Sequence, residues 1–176
     1  MACSILVLED SAVTARRIIE EIRLGGFECD TSIVAPREDF IAAIRVSATD
    51  IILADQTLPG FSGTEALSIT ALSCPDTPFL FVTATVDTEM ALDLIHSGAM
   101  DVIFKDKLER LVPAIKRAWH HRCERLAGHT AMRRLENKTR QLQAITDTMS
   151  VFLQTGNCQK ATGVLLAQAL EQTQSQ

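Results

Sequence analysis

Five polar residues stand directly behind short apolar runs: Glu9 and Asp10 behind residues 5–8, Asp55 behind 51–54, Thr83 behind 79–82 and Lys105 behind 102–104. Three carboxylates gathered at one place repel one another, and each disfavours ionisation of its neighbours. A divalent cation removes that conflict. The donors are all oxygens, which favours magnesium or a similar hard ion over zinc. A hydroxyl and an ammonium opposite the metal complete a pocket for the anionic oxygens of a phosphoryl group. Asp55 is then a nucleophile able to attack phosphorus and form an acyl phosphate, with Lys105 and the metal stabilising charge on the oxygens in transfer.

That chemistry requires a framework that brings the five residues together. Continuous apolar runs of three or four residues suit strands buried on both faces. A more alternating stretch, 28–35, reads as a sheet-edge strand. Amphipathic stretches lie between them, with Ala15, Ile18, Ile19, Ile22 and Leu24, then Phe40, Ile41 and Ile44, then Ala66, Leu67 and Ile69, then Ala91, Leu92 and Ile95 near helical spacing. Gly25-Gly26 and Ser97-Gly98 sit where helices end, and Ser62 with Glu65 three residues on has the form of a capping box. Five strand–helix units with short connections predict an open parallel α/β sheet with helices on both faces. Function in such sheets gathers beyond the carboxyl ends of the strands.

The motifs Leu6-Val7-Leu8-Glu9-Asp10, Asp55-Gln56-Thr57-Leu58-Pro59 with Gly63, Val82-Thr83-Ala84, and Lys105 resemble, in order and spacing, the signature of response-regulator receiver domains of two-component signalling systems. The resemblance covers residues 4–119. It implies a doubly wound, five-stranded parallel sheet of the flavodoxin-like kind, followed here by a C-terminal helical extension. It also implies that Asp55 is the phosphoacceptor, that Mg2+ is held by Asp10 directly, by Glu9 through water, by Asp55 and by the backbone carbonyl of Thr57, and that Thr83 and Lys105 contact the phosphoryl group. The implied partner is a histidine kinase or phosphotransfer protein. The chain then catalyses only its own phosphorylation and dephosphorylation.

Each residue also has a plainer reading: Glu9-Asp10 as a solvated turn, Asp55 as a turn former before Pro59-Gly60, Thr83 as a strand residue, Lys105 as a surface charge. These must hold at four strand ends at once. An alternative of another class, a magnesium-dependent aspartyl-phosphate phosphatase, calls for an acid two residues after the nucleophile, where this chain has Thr57. Two positions depart from the receiver pattern. Asp106 replaces the proline that usually follows the lysine; a cis bond without proline costs about 2.5–4 kcal/mol, so a trans bond is expected. Val102 replaces the aromatic residue that swings inward on phosphorylation, and Phe104 on the same strand face is expected in the core.

The composition, 47% hydrophobic and 22% charged, is that of a globular protein. Five cysteines without paired spacing speak for a reducing cytoplasm and against disulfides or zinc. No apolar run reaches membrane-span length. Charge divides the chain: eighteen acidic against eight basic residues up to Pro113, then eight basic against two acidic over 114–141. The acidic first part disfavours nucleic acid as a partner, and no helix-turn-helix follows the basic run. His120, His121 and His129 read as a solvated face of a basic helix.

The expected division is a receiver over 1–119, a helical linker of coiled-coil character over 120–154, and a terminal helix over 155–176. Val112, Ile115, Trp119 and Leu126 form one apolar stripe, and Leu135, Leu142, Ile145, Met149 and Phe152 a second at close to heptad spacing, with Gly128 marking a break or a phase shift between them. Such a seam predicts a homodimer through the C-terminal helices; a hairpin folded back on the receiver is the other way to cover it. A turn is expected at Thr155-Gly156-Asn157, then a last helix with Ala161, Leu165, Leu166, Ala169 and Leu170. From Ala144 the pattern shows a weaker resemblance to the opening helices of a GAF sensory domain, which implies the N-terminal piece of a longer regulator or hybrid kinase.

Overall fold

The computed structural model describes residues 3–46, 49–84 and 87–155. Five strands form one parallel sheet: β1 (Cys3–Leu8), β2 (Cys29–Val34), β3 (Ile51–Ala54), β4 (Phe79–Thr83) and β5 (Asp101–Phe104), in the order β2-β1-β3-β4-β5. The predicted edge strand is at the edge. Between the strands run α1 (Ala12–Leu24), α2 (Arg37–Val46), α3 (Gly63–Ser73) and α4 (Thr88–His96), and α5 (Leu111–Thr155) follows β5.

The continuous apolar runs are explained by a sheet covered on both sides. Side chains alternate across the strands. Ile5, Val7, Leu53, Leu80 and Ile103 face one core with Ile18 and Ile22 of α1 and with Leu111, Ile115 and Ala118 of α5. Leu6, Leu8, Ile52, Phe81 and Val102 face the other with Phe40 of α2, Ala66 and Leu67 of α3 and Leu94 of α4. Each large side chain buried here contributes about 1.5–3 kcal/mol by leaving water.

Helix ends follow the expected residues. Backbone φ is +67° at Gly26 and +107° at Gly98, just past α1 and α4. The Ser62 hydroxyl accepts from the Glu65 N–H at 3.1 Å and caps α3. The reciprocal half of the capping box is absent, because the Glu65 carboxylate instead accepts from Arg37 at 2.7 Å.

Three expectations about packing need correction. In α4, Leu94 turns inward while Leu92 and Ile95 are exposed. Phe104 is only half-buried and joins neither core, because it lies at the last position of β5 where the sheet edge meets solvent. Trp119 is not left for a partner but packs partly buried against the first core.

The chain divides into two units, Met1–Leu126 and Ala127–Gln176. In the first, α5 is tied to the amino ends of the strands by arginines. Arg122 donates from Nε to Asp50 (2.9 Å) and from Nη1 to the Asp76 carbonyl (3.0 Å) and the Thr77 hydroxyl (3.1 Å). Arg117 donates to Asp101 at 2.6 Å and Arg125 to Asp76 at 2.5 Å. In the second unit, Met132, Leu135, Leu142 and Ile145 of α5 are exposed. α5 continues through Gly128, which lies in open space and makes no break. The side chains of Met149 and Phe152, the turn at 156–157 and the last helix lie outside the described residues. No helix among the described residues is long and apolar enough to cross a membrane.

Candidate functional site

All five polar residues lie at the carboxyl edge of the sheet. The last ladder bond into β3 brings the Asp55 N–H to the Leu8 carbonyl at 2.9 Å, so Asp55 stands beside the end of β1 where Glu9 and Asp10 follow. The Glu9 N–H donates to Val34 at 3.0 Å, extending β1 against β2 by one residue. On the other side, the Lys105 N–H donates to the Thr83 carbonyl at 2.9 Å, so β5 delivers the lysine next to the end of β4. Parallel register thus turns a sequence separation of nearly a hundred residues into adjacency.

The lysine closes the site. Its Nζ is 2.7 Å from Oδ2 of Asp55 and 2.7 Å from Oε2 of Glu9. The Lys105–Asp106 bond is trans, as are all described peptide bonds, and the ammonium still reaches both carboxylates. Burial alone would lower the ammonium's pKa; the Asp55 and Glu9 carboxylates outweigh it and raise the pKa above the usual lysine range. Burial pushes the Glu9 carboxyl above its usual range, against the opposing pull of Lys105. Thr83 is fully buried, Asp10 exposed, and Asp55 retains 9% exposure. A small opening thus leads to the buried Asp55 carboxylate.

Glu9, Asp10 and Asp55 each offer a carboxylate oxygen within 4.8 Å of the others'. Oε2 of Glu9 is the one buried side-chain oxygen among the described residues with no aligned hydrogen-bond donor; the Lys105 ammonium neutralises it from off the hydrogen-bond direction. An all-oxygen, anionic set with an unsatisfied buried lone pair fits a hard divalent cation. Thr57 follows in a two-residue antiparallel hairpin, Thr57–Leu58 against Phe61–Ser62, turning at Gly60 with φ +68°. Its side chain is exposed.

Two features were not legible as parts of the site. The Gln56 N–H donates to Oδ1 of Asp55 at 2.7 Å, so both carboxylate oxygens are held. The Gln56 side chain is itself paired with Thr64 in the first turn of α3. Gly63 lets that turn come close: a β-carbon there would collide with the Asp55 carbonyl oxygen and stand 2.6 Å from the Phe81 ring. Gln56 belongs to the motif, but nothing in its spacing from Thr64 signals the pair.

A family model described as "Response regulator receiver domain" matches residues 5–116. A cyclic di-GMP phosphodiesterase of Thermotoga maritima is 29% identical over 137 residues, 77% of this chain and 36% of that protein. The DNA-binding response regulator MtrA of Mycobacterium leprae is 30% identical over 113 residues, 64% of this chain and 49% of that protein. The chain therefore spans less than half the length of these relatives. Among solved structures, the signal receiver domain of a putative LuxO repressor protein from Vibrio parahaemolyticus aligns with a TM-score of 0.66 at 25% identity, over 72% of this chain and 98% of that one. A CheY-like receiver domain protein from Methanospirillum hungatei aligns with a TM-score of 0.63 at 21% identity, over 71% and 99%.

Proposed function

The chain belongs to the response-regulator receiver family, and from that premise we propose that it accepts a phosphoryl group on Asp55 from the phosphohistidine of a histidine kinase or phosphotransfer protein. The observation that carries this reading is the Lys105 ammonium shared between Asp55 and Glu9, beside a three-carboxylate cluster at the strand ends. A carboxylate oxygen of Asp55 attacks phosphorus, the bond from phosphorus to the donor's imidazole nitrogen breaks, and the imidazole leaves with the electron pair. Lys105 moves from pairing the free carboxylate to pairing the phosphoryl oxygens, and the Thr83 hydroxyl turns toward them. Asp10, Asp55 and the Thr57 carbonyl, with Glu9 through water, would hold Mg2+, which would supply positive charge to the oxygens in transfer. Water later hydrolyses the acyl phosphate. The phosphatase alternative is not favoured, because the exposed Thr57 offers no acid beside Asp55.

Residues 1–119 form the phosphoaccepting module and 120–154 a helical linker. The module has no other chemistry of its own; any phosphodiesterase or DNA-binding activity of the kind named for its relatives belongs to segments beyond it. The signal leaves through α5, whose exposed Leu135, Leu142 and Ile145 support pairing with a second copy. With Val102 buried in the same core as Phe81 and Leu94 in place of an aromatic switch, the change at Thr83 and Lys105 passes through backbone shifts at the ends of β4 and β5. The protein works in the cytoplasm, without membrane or nucleic-acid contact of this segment. Phosphorylation of the wild-type chain, absent in Asp55→Asn, tests the reading.

A further inference from the structure

We infer that Gln56 and Thr64 are positioning residues that aim the Asp55 carboxylate; the inference rests on Asp55 being the phosphoacceptor. The Asp55 N–H makes the last ladder bond of β3, so beyond it the chain has no partner in the five-stranded sheet to hold its direction. Yet Oδ1 of Asp55 depends on the next peptide, accepting from the Gln56 N–H at 2.7 Å. That is a short, charge-assisted bond, and its geometry is only as good as the orientation of the peptide that donates it.

Gln56 is anchored twice to the start of α3. Its carbonyl accepts from the Gly63 N–H at 3.0 Å. Its side-chain amide nitrogen donates to the Thr64 hydroxyl at 2.9 Å, and its amide oxygen lies 3.2 Å from the same hydroxyl. The whole hairpin between them is thereby bridged, and α3 becomes the reference against which the Asp55 oxygen is held. Lys105 holds Oδ2 from the opposite side. A carboxylate fixed through both oxygens is oriented before phosphorus arrives, and loosening one hold lowers the fraction of encounters with productive geometry. Neither Gln56 nor Thr64 needs to touch the reacting atoms.

The experiment measures the rate constant for phosphorylation of the full chain by acetyl phosphate with Mg2+, in Thr64→Val, Thr64→Ser, Gln56→Met and the Gln56→Met/Thr64→Val double variant, with melting followed by circular dichroism. Thr64→Val and Gln56→Met are each expected to lose about two- to tenfold in rate, the range of a single intramolecular hydrogen bond. The double variant should lose no more than either single one, because both substitutions break one link. Thr64→Ser, which keeps the hydroxyl, should stay near wild type. Rates equal to wild type, losses that multiply in the double variant, or losses that only follow the melting temperature overturn the positioning role and leave Asp55 as phosphoacceptor. A wild-type chain that is never modified overturns both.

Discussion

Nζ of Lys105 lies 2.7 Å from Oδ2 of Asp55, a contact between the ends of β5 and β3 made across β4. The same nitrogen meets Glu9 on the far side. One cation therefore serves two carboxylates that would otherwise repel each other, and it does so without a proline after the lysine.

Replacing Lys105 with Gln keeps length and polarity but removes that charge. Phosphorylation by acetyl phosphate is expected to slow on the order of 10²-fold, the scale of losing one preorganised donor at a site of developing negative charge. Stopped-flow or quenched kinetics with Mg2+ at saturation would measure it, and an unchanged rate would remove Lys105 from the reaction.

Asp10→Ala should weaken magnesium binding by about tenfold or more while leaving the fold intact. Magnesium keeps several waters and takes few protein ligands, so one lost carboxylate is a large share of the site. Calorimetric titration is the check. Equal affinity in variant and wild type would exclude Asp10 as a ligand.

How far could these elements be read from residues alone? The strand ends were legible because strands buried on both faces leave uninterrupted apolar runs, and the residue ending each run is then at the sheet edge. The inward face of α4 was not. Met90, Ala91, Leu92, Leu94 and Ile95 are nearly continuous, so periodicity cannot choose among them, and the sheet's choice of Leu94 is a tertiary decision. Arg122 is one of the eight basic residues over 114–141, with nothing in the sequence to set it apart. Its burial depends on Asp50, Asp76 and Thr77, which reach it only after β3 and β4 are in place. The Gln56–Thr64 link was hidden for a related reason, since two ordinary polar residues eight apart meet only because the hairpin between them closes.

The cysteines give a prediction that depends on pH. Burial, with the Asp50 carboxylate as a second cause, pushes the Cys3 thiol up to about 12 from 9.0. The folded state thus favours the neutral thiol. Its contribution to stability is fully present below pH 9 and is lost as pH rises from there through about 12. At pH 8, iodoacetamide followed by peptide mapping should label exposed Cys123 and leave Cys3 untouched until the protein is denatured. Labelling of Cys3 at the same rate as Cys123 in the native protein would contradict its burial.

Self-association is expected through the far part of α5. With Trp119 already packed on its own receiver, the seam in need of cover is Leu135, Leu142 and Ile145, 61%, 65% and 53% exposed. Burying each fully against a second helix is worth about 1.5–3 kcal/mol before the cost of association. Light scattering should find a dimer for the wild-type chain and a monomer for the Leu135→Gln/Leu142→Gln variant, with phosphorylation of Asp55 unimpaired in both. A wild-type monomer at high concentration, with and without beryllofluoride, would rule the dimeric linker out.

The central claim is that Asp55 carries the phosphoryl group. Intact-mass spectrometry after incubation with acetyl phosphate and Mg2+ tests it most directly. The wild-type chain should gain a single phosphoryl group, lose it on treatment with hydroxylamine as an acyl phosphate does, and gain none in the Asp55→Asn variant. A wild-type mass unchanged at saturating acetyl phosphate, or equal modification of Asp55→Asn, would contradict it.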